Sequence, residues 1–379
     1  MIRISLPYYY LPRVTDTHAA SKVYFFGADF YNLPDTADIA GFVEAENRCL
    51  DFLRRMYPEY ELVYKAHPAE TTETDKLDLS GFTISDDTSI GEVFLWKNAN
   101  VIHAAFSAFS WMSVSARNFG LNAYVFTPVL EDAMGTDMAA GFRDYFSSMP
   151  QTFFIRDLSV MPEENRISLQ PIPQLEALVR DMSRSAERLW VVASDPGQVP
   201  LYIALARLVR NSADIPVSLI IVRHHRWDTV EYDMLKPEFD EIRIIPRIFY
   251  SAQPRRILRA VRASRRVRKI PVSPGDLVFS FSGREFVDNC FLSYHKQAQH
   301  VAFLDEKFYS FSYAGWSHRL LPGDFHYTRG SWVFRFIIEP LLGLHRTIYK
   351  KYGDGRVFNI ARYESGPEDI FDKVVLLKN

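Results

Sequence analysis

Short apolar runs alternate with helical segments, and this alternation begins twice along the chain. The first series opens at Lys22–Gly27 and continues through a helical pattern over Asp38–Met56 to a second run at Glu61–Ala66. The second series opens at Arg188–Ala193 and continues through a helix to Val217–Val222. A helix between two strands returns the chain to the start of the sheet, so that the strands pair in parallel. The pattern therefore predicts an α/β fold of two Rossmann-like domains with a cleft between them.

The chain length agrees with this division, because 379 residues are enough for two domains of ordinary size. Later strand-like runs extend both series and lie at Asn100–His103, Asn122–Phe126, Asp276–Phe281 and His300–Leu304. We therefore expect one domain over residues 1–160 and a second over residues 188–330. A linker rich in proline and charge is expected at 161–187, and a helical tail at 331–379.

Charge and cysteine content exclude several classes of protein. There are 44 Lys and Arg against 46 Asp and Glu, giving a net charge of −2, which argues against nucleic acid as a partner. Cys49 and Cys290 are far apart and match no metal-ligand spacing, so neither a disulfide framework nor a cysteine zinc site is expected. The first residues lack the apolar segment of a signal peptide, and the chain is therefore expected in the cytoplasm.

Candidate ligand-binding residues follow the ends of the first predicted strands. Gly27 ends the first run, and Lys65 is followed by His67 and Pro68 at the end of the second. Ligands of open α/β sheets bind beyond the carboxyl ends of the strands. The unperturbed pKa of histidine lies near neutrality, so His67 is suited to donate a proton to a departing group.

Glu92, Ser107 and Ser110 complete this set of candidates. Glu92 lies at a predicted helix start, where a carboxylate is a natural acceptor for ribose hydroxyl groups. Ser107 and Ser110 lie at a predicted strand-to-helix turn. The free N–H groups of a helix start, together with a serine hydroxyl, favour a bound phosphate. These residue types together predict a site for a nucleoside monophosphate leaving group.

The order and spacing of these residues resemble bacterial sialyltransferases of the GT-B fold. The shared features are Lys-x-His-Pro, then Ile-x-Glu-Val with its glutamate 25 residues after the histidine, then a serine-rich turn 40 residues after it. Polysialyltransferases and some Kdo transferases share this arrangement. The resemblance implies that His67 is the general acid for the CMP phosphate and that Glu92 holds the ribose. It places Lys65 and Pro68 in the nucleotide pocket, with Ser107 and Ser110 on the phosphate. Gly27, at the end of the first strand, is a further candidate for binding the nucleotide.

The general base of that family lies in an acidic pair at a strand end of the other domain. The matching residues here are Asp305 and Glu306, with Lys307 in place of the family's glycine. Either carboxylate fits the role of base, and Asp305 has the matching position. The domain order is reversed relative to the sialyltransferases. This reversal indicates either a permuted chain or the junction of two consecutive transferase modules.

The resemblance implies an inverting glycosyltransferase that needs neither metal nor cofactor. Residues 1–160 would bind the CMP-sugar, and residues 188–330 would serve the acceptor. Sialic acid or a related acidic sugar would pass to a surface glycan or glycolipid. Two alternatives are a transferase with another nucleotide donor and a non-catalytic two-domain scaffold that docks on membranes.

A strongly basic segment lies outside these motifs. Arg255–Lys269 carries eight positive charges in 15 residues with no acid among them, and apolar residues at helical spacing. This composition predicts an amphipathic basic helix. It fits peripheral contact with an anionic inner membrane, a polyanionic acceptor, or a solvated face. The apolar segment Trp332–Ile338 is assigned to a core or domain-bridging helix broken at Pro340, with the same membrane surface as the alternative.

Overall fold

A computed structural model describes residues 2–11, 20–28, 37–67, 70, 75–249, 251–281, 285–306, 333–344 and 370–378. The chain divides into two compact units. We name Pro12–Gln170 the N-unit, and we name Met1–Leu11 together with Pro171–Asn379 the C-unit. Among the described residues, no helix has both the length and the apolar character that crossing a membrane requires.

The described strands and helices are distributed over both units. The strands are β1 (Ile2–Ser5), β2 (Lys22–Phe26), β3 (Glu61–Lys65), β4 (Thr83–Ile84), β5 (Ile102–Ser107), β6 (Asn122–Val125), β7 (Leu189–Ala193), β8 (Val217–Arg223), β9 (Glu241–Pro246), β10 (Leu277–Ser280), β11 (Gln299–Asp305) and β12 (Lys373–Lys378). The principal helices are α1 (Ile39–Met56), α2 (Gly91–Asn98), α3 (Trp111–Asn118), α4 (Thr127–Met134), α5 (Thr136–Tyr145), α6 (Pro173–Ser183), α7 (Val199–Ser212), α8 (Pro254–Arg268) and α9 (Phe286–Tyr294).

The N-unit contains a parallel sheet in the order β4-β3-β2-β5-β6. Counted from β2, this is the 3-2-1-4-5 order of a Rossmann-like fold. Buried aromatic rings fill one face of the sheet, where Phe106 stacks on Phe126 at 5.6 Å and Phe52 meets Phe126 edge-on at 5.7 Å. The α1 helix packs here, and it begins at Asp38, whose carboxylate accepts the Gly41 N–H.

The C-unit contains a second parallel sheet in the order β1-β12-β11-β10-β7-β8-β9. Counted from β7, the strands β7 to β12 follow the 3-2-1-4-5-6 order, and β1 extends the β12 edge. The β7 strand is fully buried and consists of Leu189–Ala193, as the apolar run predicts for a central parallel strand. Both units are therefore Rossmann-like, which confirms the predicted fold class; the cleft between them stays a prediction.

The structure differs from the expected division at both ends of the chain. Ile2–Ser5 does not join the first sheet, because Ile2 pairs in register with Val375 of β12. Residues 331–379 are not a uniformly helical tail, since Lys373–Lys378 is a strand with a buried apolar centre. The expected linker at 161–187 contains α6, whose Leu175 and Val179 are fully buried one helical turn apart.

Candidate functional site

The carboxyl edge of the N-unit sheet brings three of the predicted residues together. Phe26, the last residue of β2, pairs in register with Lys65 of β3 and with Ser107 of β5. Neighbouring strands lie about 4.8 Å apart, so Lys65 and Ser107 are separated by roughly 10 Å of backbone across β2. Gly27 follows directly and donates its N–H to the Lys65 carbonyl at 2.9 Å. The strand order reverses between β2 and β5, which is where such sheets bind ligands.

Ser107 is committed to the protein's own hydrogen bonds. Its side chain is fully buried, and Oγ accepts the Ser110 N–H at 3.1 Å. The same Oγ lies 2.7 Å from Ser113 Oγ, which in turn donates to the Tyr124 carbonyl at 2.8 Å. The hydroxyl of Ser107 therefore holds the turn between β5 and α3. A direct grip of Ser107 on phosphate stays a prediction.

Ser110 occupies the start of α3. It is the N-cap residue, and its Oγ accepts the Met112 N–H at 3.2 Å. A helix start carries N–H groups without partners inside the helix and a partial positive charge. The turn closed by Ser107 thus places Ser110 and the first turn of α3 at the carboxyl edge, where an anion would be stabilised.

Glu92 lies next to this helix start. It is in the first turn of α2 and accepts a hydrogen bond from Ser115 of α3 at 3.3 Å. The preceding Gly91 lies so close to Met112 that a Cβ there would overlap the Met112 sulfur. The first turns of α2 and α3 are therefore in direct contact, and Glu92 and Ser110 belong to the same edge.

Lys65 contributes a cation to that edge. Its Nζ donates to the Asp87 backbone carbonyl and lies 4.7 Å from the centre of the Phe94 ring. Burial lowers the pKa of Lys65, while the Asp87 carboxylate opposes this change. Asp87 precedes α2 and Phe94 lies within it, so the ammonium group is near the first turn of α2, which contains Glu92.

A closed turn fixes the backbone of His67. Glu70 Oε1 accepts the His67 N–H at 2.6 Å and the Tyr64 hydroxyl at 3.0 Å, and the Glu70 N–H donates to the His67 carbonyl at 2.9 Å. A Cβ at Gly27 would overlap Glu70 Oε1, so glycine is required there for this turn. No sequence motif identifies Glu70, because its role depends on contacts with Tyr64 and Gly27. The candidate Pro68 lies outside the described residues.

A second carboxyl group lies buried behind this turn. Glu46 of α1 is fully buried, and no hydrogen-bond partner for either side-chain oxygen is found within the described residues. Burial, aided by the negative charge of Glu70, raises the pKa of Glu46 to about 8. Burial therefore favours the neutral, protonated form of Glu46. The pKa of Glu70 is also raised by burial, although its hydrogen bonds from His67 and Tyr64 oppose this.

The C-unit positions Asp305 at the carboxyl end of a strand, as the sequence predicts. Asp305 is the last residue of β11, is half-buried, and pairs in register with Leu377 of β12. The adjacent Glu306 forms an ion pair with Arg3, with 2.8 Å between Oε1 and Nε. This ion pair engages Glu306, and the role of Asp305 as the base stays a prediction. Lys307 lies outside the described residues.

The described parts of the chain contain no group of three His, Cys, Asp or Glu side chains arranged to hold a metal ion. Cys49 and Cys290 are buried free thiols, one in each unit. Burial raises the pKa of both thiols well above its ordinary value. Neither cysteine therefore has the exposed thiolate character of a reactive residue.

Comparison with known proteins finds only remote structural likeness. No protein-family model matches the chain, and no curated protein matches it. Among solved structures, a protein from Listeria monocytogenes with the provisional name UDP-N-acetylglucosamine 2-epimerase is 11% identical over 75% of this chain and 79% of its own. The TM-score is 0.18, so the assignment of two Rossmann-like units rests on the strand orders instead.

Proposed function

We propose that this protein is an inverting, metal-independent glycosyltransferase that moves sialic acid or a related acidic sugar from a CMP donor to a glycan or glycolipid acceptor. The observation that carries the proposal is the arrangement at the carboxyl edge of the N-unit sheet. Lys65 ends β3 next to the point where the strand order reverses, Ser110 starts α3 beyond β5, and Glu92 bonds to Ser115 of α3. A cation, a carboxylate and a helix start are the groups that a cytidylate would need for its phosphate and ribose.

In this proposal, different residues of the N-unit bind different parts of the donor. The phosphate lies at the first turn of α3 beside Ser110 and is attracted by the Lys65 ammonium group. Glu92 accepts hydrogen bonds from the ribose hydroxyl groups. His67 donates a proton to the phosphate oxygen that leaves the sugar. Glu70 fixes the backbone of His67 for this role.

The reaction exchanges one bond at the anomeric carbon for another. The acceptor hydroxyl oxygen attacks this carbon from the face opposite the phosphate, while the bond to the phosphate oxygen breaks and its electron pair stays on CMP. Asp305 takes the proton from the acceptor hydroxyl, and His67 supplies the proton to CMP. CMP carries less charge than a nucleoside diphosphate, so a lysine and a helix start suffice to stabilise it.

The proposal predicts that CMP raises the melting temperature of the protein, whereas UDP and GDP do not. A ligand at 100 times its dissociation constant stabilises the state that binds it by about 2.7 kcal/mol. For a unit the size of the N-unit, this corresponds to a rise of roughly 5–10 °C. The measurement is thermal unfolding of the full chain with each nucleotide in turn.

Glu92→Gln is the matched variant, because it keeps the size of the side chain and removes the carboxylate. It should leave the melting temperature without nucleotide unchanged and reduce the effect of CMP. An equal response to UDP would support a different nucleotide donor. If no nucleotide has any effect, the non-catalytic scaffold becomes the better account of the fold.

A further inference from the structure

The exposed side of α8 carries an unusual concentration of positive charge. We call the following residues the basic face of α8: Arg255, Arg256, Arg259, Arg262, Arg265, Arg266, Arg268 and Lys269. All eight residues are exposed to solvent. Within the described parts of the chain, none of them forms an ion pair with an acidic side chain, unlike Arg247, which is bound by Glu285.

The opposite side of α8 explains why the helix forms despite this charge. Ala260, Ala263, Ser264 and Val267 are buried against the C-unit, and Ser264 Oγ bonds to the Tyr294 hydroxyl of α9. The arginines at 255, 259, 262 and 266 repeat every three or four residues, so they form one stripe along the helix. Like charges at this spacing repel each other, and an anionic surface placed along the stripe would relieve the repulsion.

Exposed apolar side chains accompany the basic face over its length of about 22 Å. Leu258 is 50% exposed and lies on the helix surface between Arg255 and Arg262. Phe249 precedes the helix, is 55% exposed, and has the Arg256 guanidinium 6.0 Å from its ring centre.

The far end of α8 has its own exposed apolar residue. Arg268 donates to the Leu342 carbonyl at 3.4 Å, and the neighbouring Leu341 is 78% exposed. Leu341 ends the short helical segment Glu339–Leu341, whose flanking residues Phe334 and Leu344 are buried in the same core as α8. That packing agrees with a core role for part of this region, while it leaves Leu341 facing solvent.

We propose that the basic face of α8, together with Phe249, Leu258 and Leu341, binds the surface of an anionic lipid bilayer. The guanidinium groups engage lipid phosphates, and the apolar side chains enter the boundary between headgroups and acyl chains. A soluble polyanion would satisfy the charges but would leave a leucine that is 78% exposed without an apolar environment. This partner goes beyond the proposed transfer reaction and does not depend on it.

The test is co-sedimentation of the full chain with phosphatidylcholine vesicles that contain or lack phosphatidylglycerol. We expect binding only where the anionic lipid is present, and weaker binding at high salt. The double variant Arg259→Gln/Arg262→Gln should bind roughly 25-fold more weakly, about fivefold for each charge. Leu341→Ser should also weaken binding, and its effect should persist at high salt.

The matched control is Arg180→Gln/Arg184→Gln, which removes two exposed charges from another part of the C-unit. This control should bind like the unchanged protein. Three results would each overturn the proposal. They are an equal loss of vesicle binding in both double variants, equal binding to neutral and anionic vesicles, and binding to inorganic polyphosphate without binding to vesicles. No nucleotide is present in the assay, so failure here is distinct from failure of the transferase proposal.

Discussion

Replacing His67 by alanine is expected to lower the rate of sugar transfer about 10²- to 10⁴-fold, as loss of a general acid does. The fold of the N-unit should survive, because Glu70 holds this turn through the backbone N–H and carbonyl of His67, which alanine retains. CMP binding should also persist, since Lys65, Glu92 and Ser110 remain. The measurement is kcat with a CMP-sugar donor, alongside the melting temperature with and without CMP.

His103→Ala is the control for this prediction. His103 is the second residue of β5, near the amino end of the strand, whereas Ser107 is at its carboxyl end. The His103 ring stacks on Tyr60, with 4.2 Å between the ring centres. Its removal should cost some stability through the lost ring contact and leave kcat unchanged. Undiminished turnover in His67→Ala would remove the imidazole from the mechanism.

Replacing Glu46 by methionine is expected to stabilise the protein at alkaline pH. Burial raises the pKa of Glu46 from an ordinary value of 4.5 to about 8. Between these values the folded protein holds a proton that the unfolded chain has released, so the free energy of unfolding falls as the pH rises. Each pKa unit corresponds to about 1.4 kcal/mol, and the whole difference amounts to roughly 5 kcal/mol.

Methionine removes both the charge and the side-chain oxygens that lack partners within the described residues, at similar volume. The variant should therefore exceed the unchanged protein in unfolding free energy by several kcal/mol above pH 8, with a smaller difference near pH 4. Denaturant unfolding across this pH range measures the effect. Glu44→Met, at an exposed position of the same helix, should leave the pH dependence intact. A pH dependence shared by all three proteins would contradict the account of Glu46.

Much of the fold is predictable because buried parallel strands are uninterrupted apolar runs. The run Lys22–Gly27 differs from β2 by one residue, and the expected helix over Asp38–Met56 differs from α1 only in its cap. The helix expected near Ser107 begins instead at Trp111. The strand before it extends to Ser107, since the intervening alanines and phenylalanine fit a buried strand equally well.

The remaining features depend on contacts between distant parts of the chain. The pairing of Ile2 with Val375 joins the two ends of the sequence, and a four-residue strand carries no local signal for its partner. The direction of the Ser107 hydroxyl depends on Ser113, which no strand-end pattern specifies. The spacing from His67 to Glu92 predicts a shared nucleotide site and stays a prediction, whereas the role of Glu70 follows from its contacts with Tyr64 and His67.

The position of CMP in a crystal of the full chain soaked with this nucleotide tests the central claim most directly. The account predicts the phosphorus atom beside Ser110 at the start of α3, with Lys65 nearby and the ribose hydroxyl groups on Glu92. Electron density for CMP at the carboxyl edge of the C-unit sheet, or none at either sheet under saturating nucleotide, would contradict it.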